Sequence, residues 1–202
     1  MKKFMFVSMM VFVFFMTACG SEPQRAAGSS APAQTNPFGD SYEAPCQMYD
    51  DDDYFAATGI YKGSMEQKGE LQKFALVNAQ TICRMKVKHT YRGMVSDFAQ
   101  SHGNNRGNDI ETKISQAGDQ IIDAVINDTQ AKCVKYSGVG ADGRMEAYVG
   151  IKINKRDLAG KVADAVKDAL TDEEKTKIDF HEDEYRKQME ERFEKYREEH
   201  KN

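Results

Sequence analysis

Between residues 145 and 154 the chain alternates strictly, with Met145, Ala147, Val149, Ile151 and Ile153 on one side and Glu146, Tyr148, Gly150, Lys152 and Asn154 on the other. A period of two predicts a strand with one face buried and the other wet or partly covered. Residues 132–139 form a second, shorter run. The intervening Gly140-Ala141-Asp142-Gly143 joins the two as a hairpin, because Asp-Gly suits the positive backbone angles of a tight turn. A third strand is expected at residues 54–61, where Gly59 marks a bulge or a close approach of another element.

Elsewhere the period lengthens to that of helices. Leu71, Phe74, Ala75, Ile82 and Met85 share one face of a long helix running from residue 65 to about residue 101, continued less cleanly by Val95 and Phe98. Residues 102–108 break the pattern, and Asp109 can cap a second helix carrying Ile110, Ile114, Ala117, Ile121 and Ala124. Asn154 can cap a third, whose Leu158, Val162, Ala165, Val166, Ala169 and Leu170 supply a stripe to cover the apolar face of the last strand. Thr171 and Glu174 have capping-box spacing and open a charged helix running close to residue 202. Its thin stripe of Ile178, Tyr185, Met189, Phe193 and Tyr196 either folds back on the domain or faces a partner. The fold class is therefore α+β. Residues 46–170 make a small antiparallel sheet of about three strands with helices packed on one face, and residues 171–202 extend it as a charged amphipathic helix.

The first 45 residues belong to neither pattern. Lys2 and Lys3 precede an uncharged run, residues 4–16, which is shorter than the ~20 apolar residues needed to span hydrocarbon. It ends in Met16-Thr17-Ala18-Cys19, small residues directly before a cysteine, as in the lipobox of bacterial lipoproteins. Residues 1–18 are expected to be a cleaved signal, and Cys19 the new N-terminus carrying a diacylglyceryl group and a further acyl chain, since stable anchoring takes more than one chain. Residues 19–45, rich in Ser, Ala, Pro, Gln and Gly, cannot bury enough apolar surface to offset the entropy of ordering. As a coil they reach ~25–30 Å. Gly20 after the lipid cysteine lacks the Asp that retains some lipoproteins at the inner membrane, so the outer membrane is the expected address in a host that has one.

The net charge of −4 resides in the tail, where residues 171–202 hold eight Lys and Arg against twelve Asp and Glu. No basic face or stripe of the kind that binds nucleic acid stands out. Cys46, Cys83 and Cys133 allow one intramolecular disulfide, and Cys83 with Cys133 is the expected pair because both lie in regular structure of one domain; three unpaired thiols is the alternative.

The order strand, long helix, second helix, hairpin, helix resembles the LPP-twenty family of bacterial lipoproteins. The strings behind the resemblance are Gly59 at the first strand, Phe74-Ala75-Leu76-Val77-Asn78-Ala79 at the helix start, and Asp142-Gly143-Arg144-Met145-Glu146-Ala147-Tyr148-Val149 over the turn and last strand. It covers residues 54–170 and implies a small α+β domain of the envelope, with no catalytic residues. The Gly-rich interruption at residues 103–107 and the acidic final helix depart from the family pattern, so no particular partner is implied.

Candidate chemistry is sparse. Residues 138–143 fit G-x-G-x-x-G by letters, but a strand follows where a phosphate site needs a helix. Asp50 to Asp53 lack the spacing and turn glycine of a calcium loop and are expected to be a solvated lead-in to the first strand. His181 begins like a zinc-protease helix but Tyr185 stands where the second His is required. His89 is six residues beyond Cys83, off its helical face. The expectation is a non-enzymatic binding or scaffolding module without a cofactor other than the covalent lipid on Cys19. It would contact the membrane through that lipid and an envelope protein, or a second copy, through the loop at Arg106 and the stripe Tyr185, Met189, Phe193 and Tyr196. The alternative is a small-ligand-binding or hydrolytic envelope domain with a pocket between sheet and helices.

Overall fold

The computed structural model describes residues 43–101 and 108–199. The elements run β1 (Tyr54–Ser64), a 3₁₀ turn (Met65–Gln67), α1 (Lys68–Ser101), α2 (Asn108–Asn127), β2 (Cys133–Tyr136), β3 (Arg144–Asn154), α3 (Lys155–Ala169), α4 (Asp172–Lys177) and α5 (Glu182–Glu199). The fold is α+β. The three strands form one antiparallel sheet in the order β1-β3-β2, with Gly59 opposite Val149 and Cys133 opposite Gly150.

Local chemistry sets the boundaries. Gly143, at φ +72°, closes the β2–β3 turn, where the Gly143 N–H donates to the Gly140 carbonyl over 3.0 Å. The Asn154 side chain accepts from the Asp157 N–H at 2.9 Å and starts α3. Thr171 and Glu174 exchange both bonds of a capping box, but α4 then stops after six residues. Residues 178–181 separate it from α5, so the single final helix expected from the sequence is two.

α1, α2, α3 and α5 lie on one side of the sheet. α1 runs across β1 and β3, and α2 and α5 each pack against both α1 and α3. Gly59 permits the closest approach: a Cβ there would come 2.0 Å from the Ala75 carbonyl oxygen and 2.3 Å from the Ala79 nitrogen. The buried row of α1 is Leu71, Ala75, Ala79, Cys83, Val87 and Tyr91. Phe74 and Met85, expected on that face, are 46 % and 61 % exposed. Steps of four residues advance ~40° beyond a full turn, so the buried stripe winds around the helix. It faces the sheet first and its flanking helices later, and Phe74 and Met85 fall outside it.

Residues 171–202 are not an appendage. Tyr185, Met189, Phe193 and Tyr196 belong to the same hydrophobic core as Phe55, Leu158 and Val166. The Phe193 ring meets Phe55 edge-on at 5.0 Å, and Tyr196 meets the same ring at 5.7 Å.

β1 is an edge strand, and side chains seal much of its outer edge. Asp50 accepts the Ala56 N–H at 2.7 Å and pairs with Lys86, whose ammonium donates to the Ala56 carbonyl at 2.8 Å. Asp51 accepts the Tyr54 N–H and returns its own N–H to the Tyr54 carbonyl, while the Asn78 amide donates to the Ile60 carbonyl. Buried Lys155 donates to the Asp51 carbonyl at 2.8 Å, with its ammonium 5.1 Å from the centre of the Phe55 ring. The acidic run is thus a set of strand-edge caps and not merely a solvated lead-in.

Candidate functional site

The alternation of β2 and β3 decides the cysteine pairing. Val134 and Tyr136 share the helix side with Val149 and Ala147, while Cys133 sits opposite Gly150 on the outer face. Cys83 is fully buried on α1, so the sheet itself lies between Cys83 and Cys133. The disulfide is instead Cys46–Cys133, with Cα atoms 5.7 Å apart, and Cys83 is free. The expected Cys83–Cys133 bridge is wrong for that reason. Burial pushes the Cys83 thiol up to about 12, which leaves it a core side chain and not a nucleophile.

The bridge fastens residues 43–49 across the outer face of the sheet. Pro45 and Cys46 form the middle of a turn closed by the Gln47 N–H on the Ala44 carbonyl, with Cys46 at φ +62°. Thr58 Oγ1 accepts the Met48 N–H and donates to the Cys46 carbonyl, both at 2.9 Å. A Cβ on Gly150 would come 2.8 Å from Met48 Sδ and 2.9 Å from the Cys46 oxygen, so only glycine lets the chain pass there.

Two grooves run beside α5. One, of about 300 Å³, has Met94 and Phe98 among its lining with Asp97, Gln188, Glu191, Arg192 and Lys195. The other, of about 400 Å³, is lined by Asp52, Glu191, Glu194, Lys195 and Glu198. They share Glu191 and Lys195, so the outward side of α5 is one continuous charged strip. A separate apolar strip lies where β1 meets α1: the partly exposed Tyr61 and Phe74 rings are 4.7 Å apart, and exposed Val77 follows Phe74 by three residues on α1.

No family model matches this chain, and no curated protein or solved structure does either.

Of the residues proposed from sequence as contacts, Tyr185, Met189, Phe193 and Tyr196 are at most 9 % exposed and cannot meet a partner without unfolding α5. Their spacing reads the same whether the covering surface is the chain's own core or another protein's, which is why sequence left both open. Cys19 and Arg106 lie outside the described residues. Residues 138–143 form the hairpin turn. Tyr185, in the zinc-protease-like string, buries its hydroxyl against Tyr91, and the His181 ring pairs with Asp179 at 3.2 Å. Among the described residues no group of three or more His, Cys, Asp or Glu is placed to hold a metal ion.

Proposed function

We propose that this protein is a lipid-anchored module of the bacterial envelope, held to the membrane through Cys19, that binds or scaffolds another envelope component without catalysing a reaction. The observation that carries the reading is the Cys46–Cys133 disulfide. Disulfides persist in oxidising compartments, which agrees with a leader ending in a lipobox. This one ties Cys46, the residue next to the end of the expected tether, to the sheet, so the leash has a fixed point of attachment. The order β1, α1, α2, β2, β3, α3 supports kinship with the LPP-twenty lipoproteins.

Partner contact is assigned to the strip of Tyr61, Phe74 and Val77, between 37 % and 53 % exposed, with Glu70 and Lys73 flanking Phe74 on the same helix. Apolar patches with polar rims mark protein contacts. Intact mass of detergent-extracted protein tests the anchor: residues 19–202 plus a diacylglyceryl group supports it, and a soluble unacylated product overturns it. A photoreactive residue at Phe74 tests the contact, through an adduct of defined mass that is lost when Tyr61 and Val77 are changed to Ser.

A further inference from the structure

We infer that residues 43–49 are a redox-released cover on the outer face of the sheet, closed by the Cys46–Cys133 disulfide and opened by thiol–disulfide exchange with a dithiol.

The cover is separable from the core. Phe55, Ala57, Val149, Ile151 and the helices form the main hydrophobic cluster, on the helix side of the sheet. Ala44, Ala56 and Tyr148 are also buried, yet none of them belongs to that cluster. Lifting residues 43–49 therefore bares the outer face around Ala56, Thr58 and Gly150 while the main core stays closed. The opening has a defined limit. The next fixed point along the chain is Asp50, held by the Ala56 N–H and the Lys86 ammonium, followed by Asp51 on Lys152.

The cover is also held against a backbone preference. Cys46 sits at φ +62°, a left-handed conformation unfavourable for a side chain with a Cβ, and such residues persist only where surrounding bonds impose them. Here the bonds are the disulfide, the two hydrogen bonds of Thr58 and the Gln47 N–H on the Ala44 carbonyl. Cutting the first leaves only those hydrogen bonds to oppose relaxation. Both bridged cysteines are only half-buried, so an attacking thiolate can reach the bond. Cys83 is enclosed on the far side of the sheet and cannot intercept the exchange.

The step balances without any other reagent. One thiolate of the dithiol attacks a sulfur of the bridge, forming a mixed disulfide and releasing the other cysteine as a thiolate that takes up a proton. The second thiol of the dithiol then attacks the mixed disulfide. Two electrons pass to the bridge, Cys46 and Cys133 end as thiols, and the dithiol ends as a disulfide.

The experiment treats the folded full chain with dithiothreitol, alkylates it with iodoacetamide and follows hydrogen exchange. Alkyl groups should map to Cys46 and Cys133 and spare Cys83. Exchange at the Gln47 and Met48 amides should rise ~10-fold or more while amides of α1 and α3 keep their protection. Unchanged exchange at Gln47 and Met48 after full reduction would mean the cover stays down without its bond and would overturn the proposal. Alkylation of Cys83 with general loss of protection would overturn it differently, by making the bridge a staple of the whole domain. Cys46→Ser, in the absence of reductant, should reproduce the reduced pattern. Acylation at Cys19 decides only whether Cys19 itself is alkylated and leaves the readouts at Cys46, Cys83, Cys133, Gln47 and Met48 untouched, so failure here is distinct from failure of the anchor.

Discussion

The hydroxyl of Tyr185, on the last long helix, donates to the hydroxyl of Tyr91, in the second half of α1, across 3.3 Å of otherwise apolar core. Tyr91 in turn donates to the Ile114 carbonyl of α2 at 2.6 Å, so two side chains join three helices. Gly118 makes room: a Cβ there would fall 2.2 Å from the Tyr91 oxygen. Tyr91→Phe strands a buried hydroxyl and a carbonyl and should cost about 1–3 kcal/mol, more than Tyr185→Phe, which leaves the bond to Ile114 intact. Urea denaturation of the two variants checks the order.

Removing residues 171–202 should abolish cooperative unfolding, because α5 takes Tyr185, Met189, Phe193 and Tyr196 out of the core with it. Phe193→Ala is the graded version, with an expected loss of about 3–5 kcal/mol. A truncated chain that melts as sharply as the full one would contradict the shared core.

Two glycines make a matched pair. Gly59→Ala forces a methyl into the backbone of α1, 2.0 Å from the Ala75 oxygen, and should cost about 3 kcal/mol or more. Gly160→Ala, inside α3 with open space at its Cβ, should stabilise by about 0.5–1 kcal/mol. Melting temperatures that move in opposite directions are the expected result.

Glu174 gives the fold an acid-sensitive contact. Its bond to the Lys113 ammonium, and then the capping bonds from Thr171, lower its carboxyl from 4.5 to about 2. The unfolded chain binds this proton first, so the contribution is complete above the ordinary value and is lost as pH falls through the folded one. Melting temperature followed from about pH 5 to about pH 2 should fall less steeply in Glu174→Gln than in the wild type.

What the sequence revealed was local. The Asn154 cap, the Thr171–Glu174 box, the Asp-Gly turn and the close approach at Gly59 each depend on residues within a few positions or on one absent Cβ, and all are present. What it hid was relational. Cys83 and Cys133 both occupy regular structure, but pairing them ignores parity: the alternation that put Val149 inside puts Gly150, and with it Cys133, outside. Counting outward from the Asp-Gly turn would have exposed this. Nothing comparable marked Cys46 as the partner, because residues 43–49 have no period, and their path over Gly150 follows from a missing side chain 104 positions beyond Cys46. The stripe of α5 was legible as apolar and illegible as to what covers it. The apolar strip at Tyr61 and Phe74 was missed because Phe74 was assigned to the core by spacing alone.

The capping of β1 by Asp50, Asp51, Lys86 and Asn78 bears on how the domain behaves in a crowd. Molecules confined to a surface meet far more often than the same number free in a volume, and an open strand edge invites neighbours to join sheet to sheet without limit. Here much of the backbone that would recruit the next copy is already spoken for by its own side chains. A crowded population of this chain would meet a sheet already closed along much of its β1 edge, which hinders one domain from extending another through that edge.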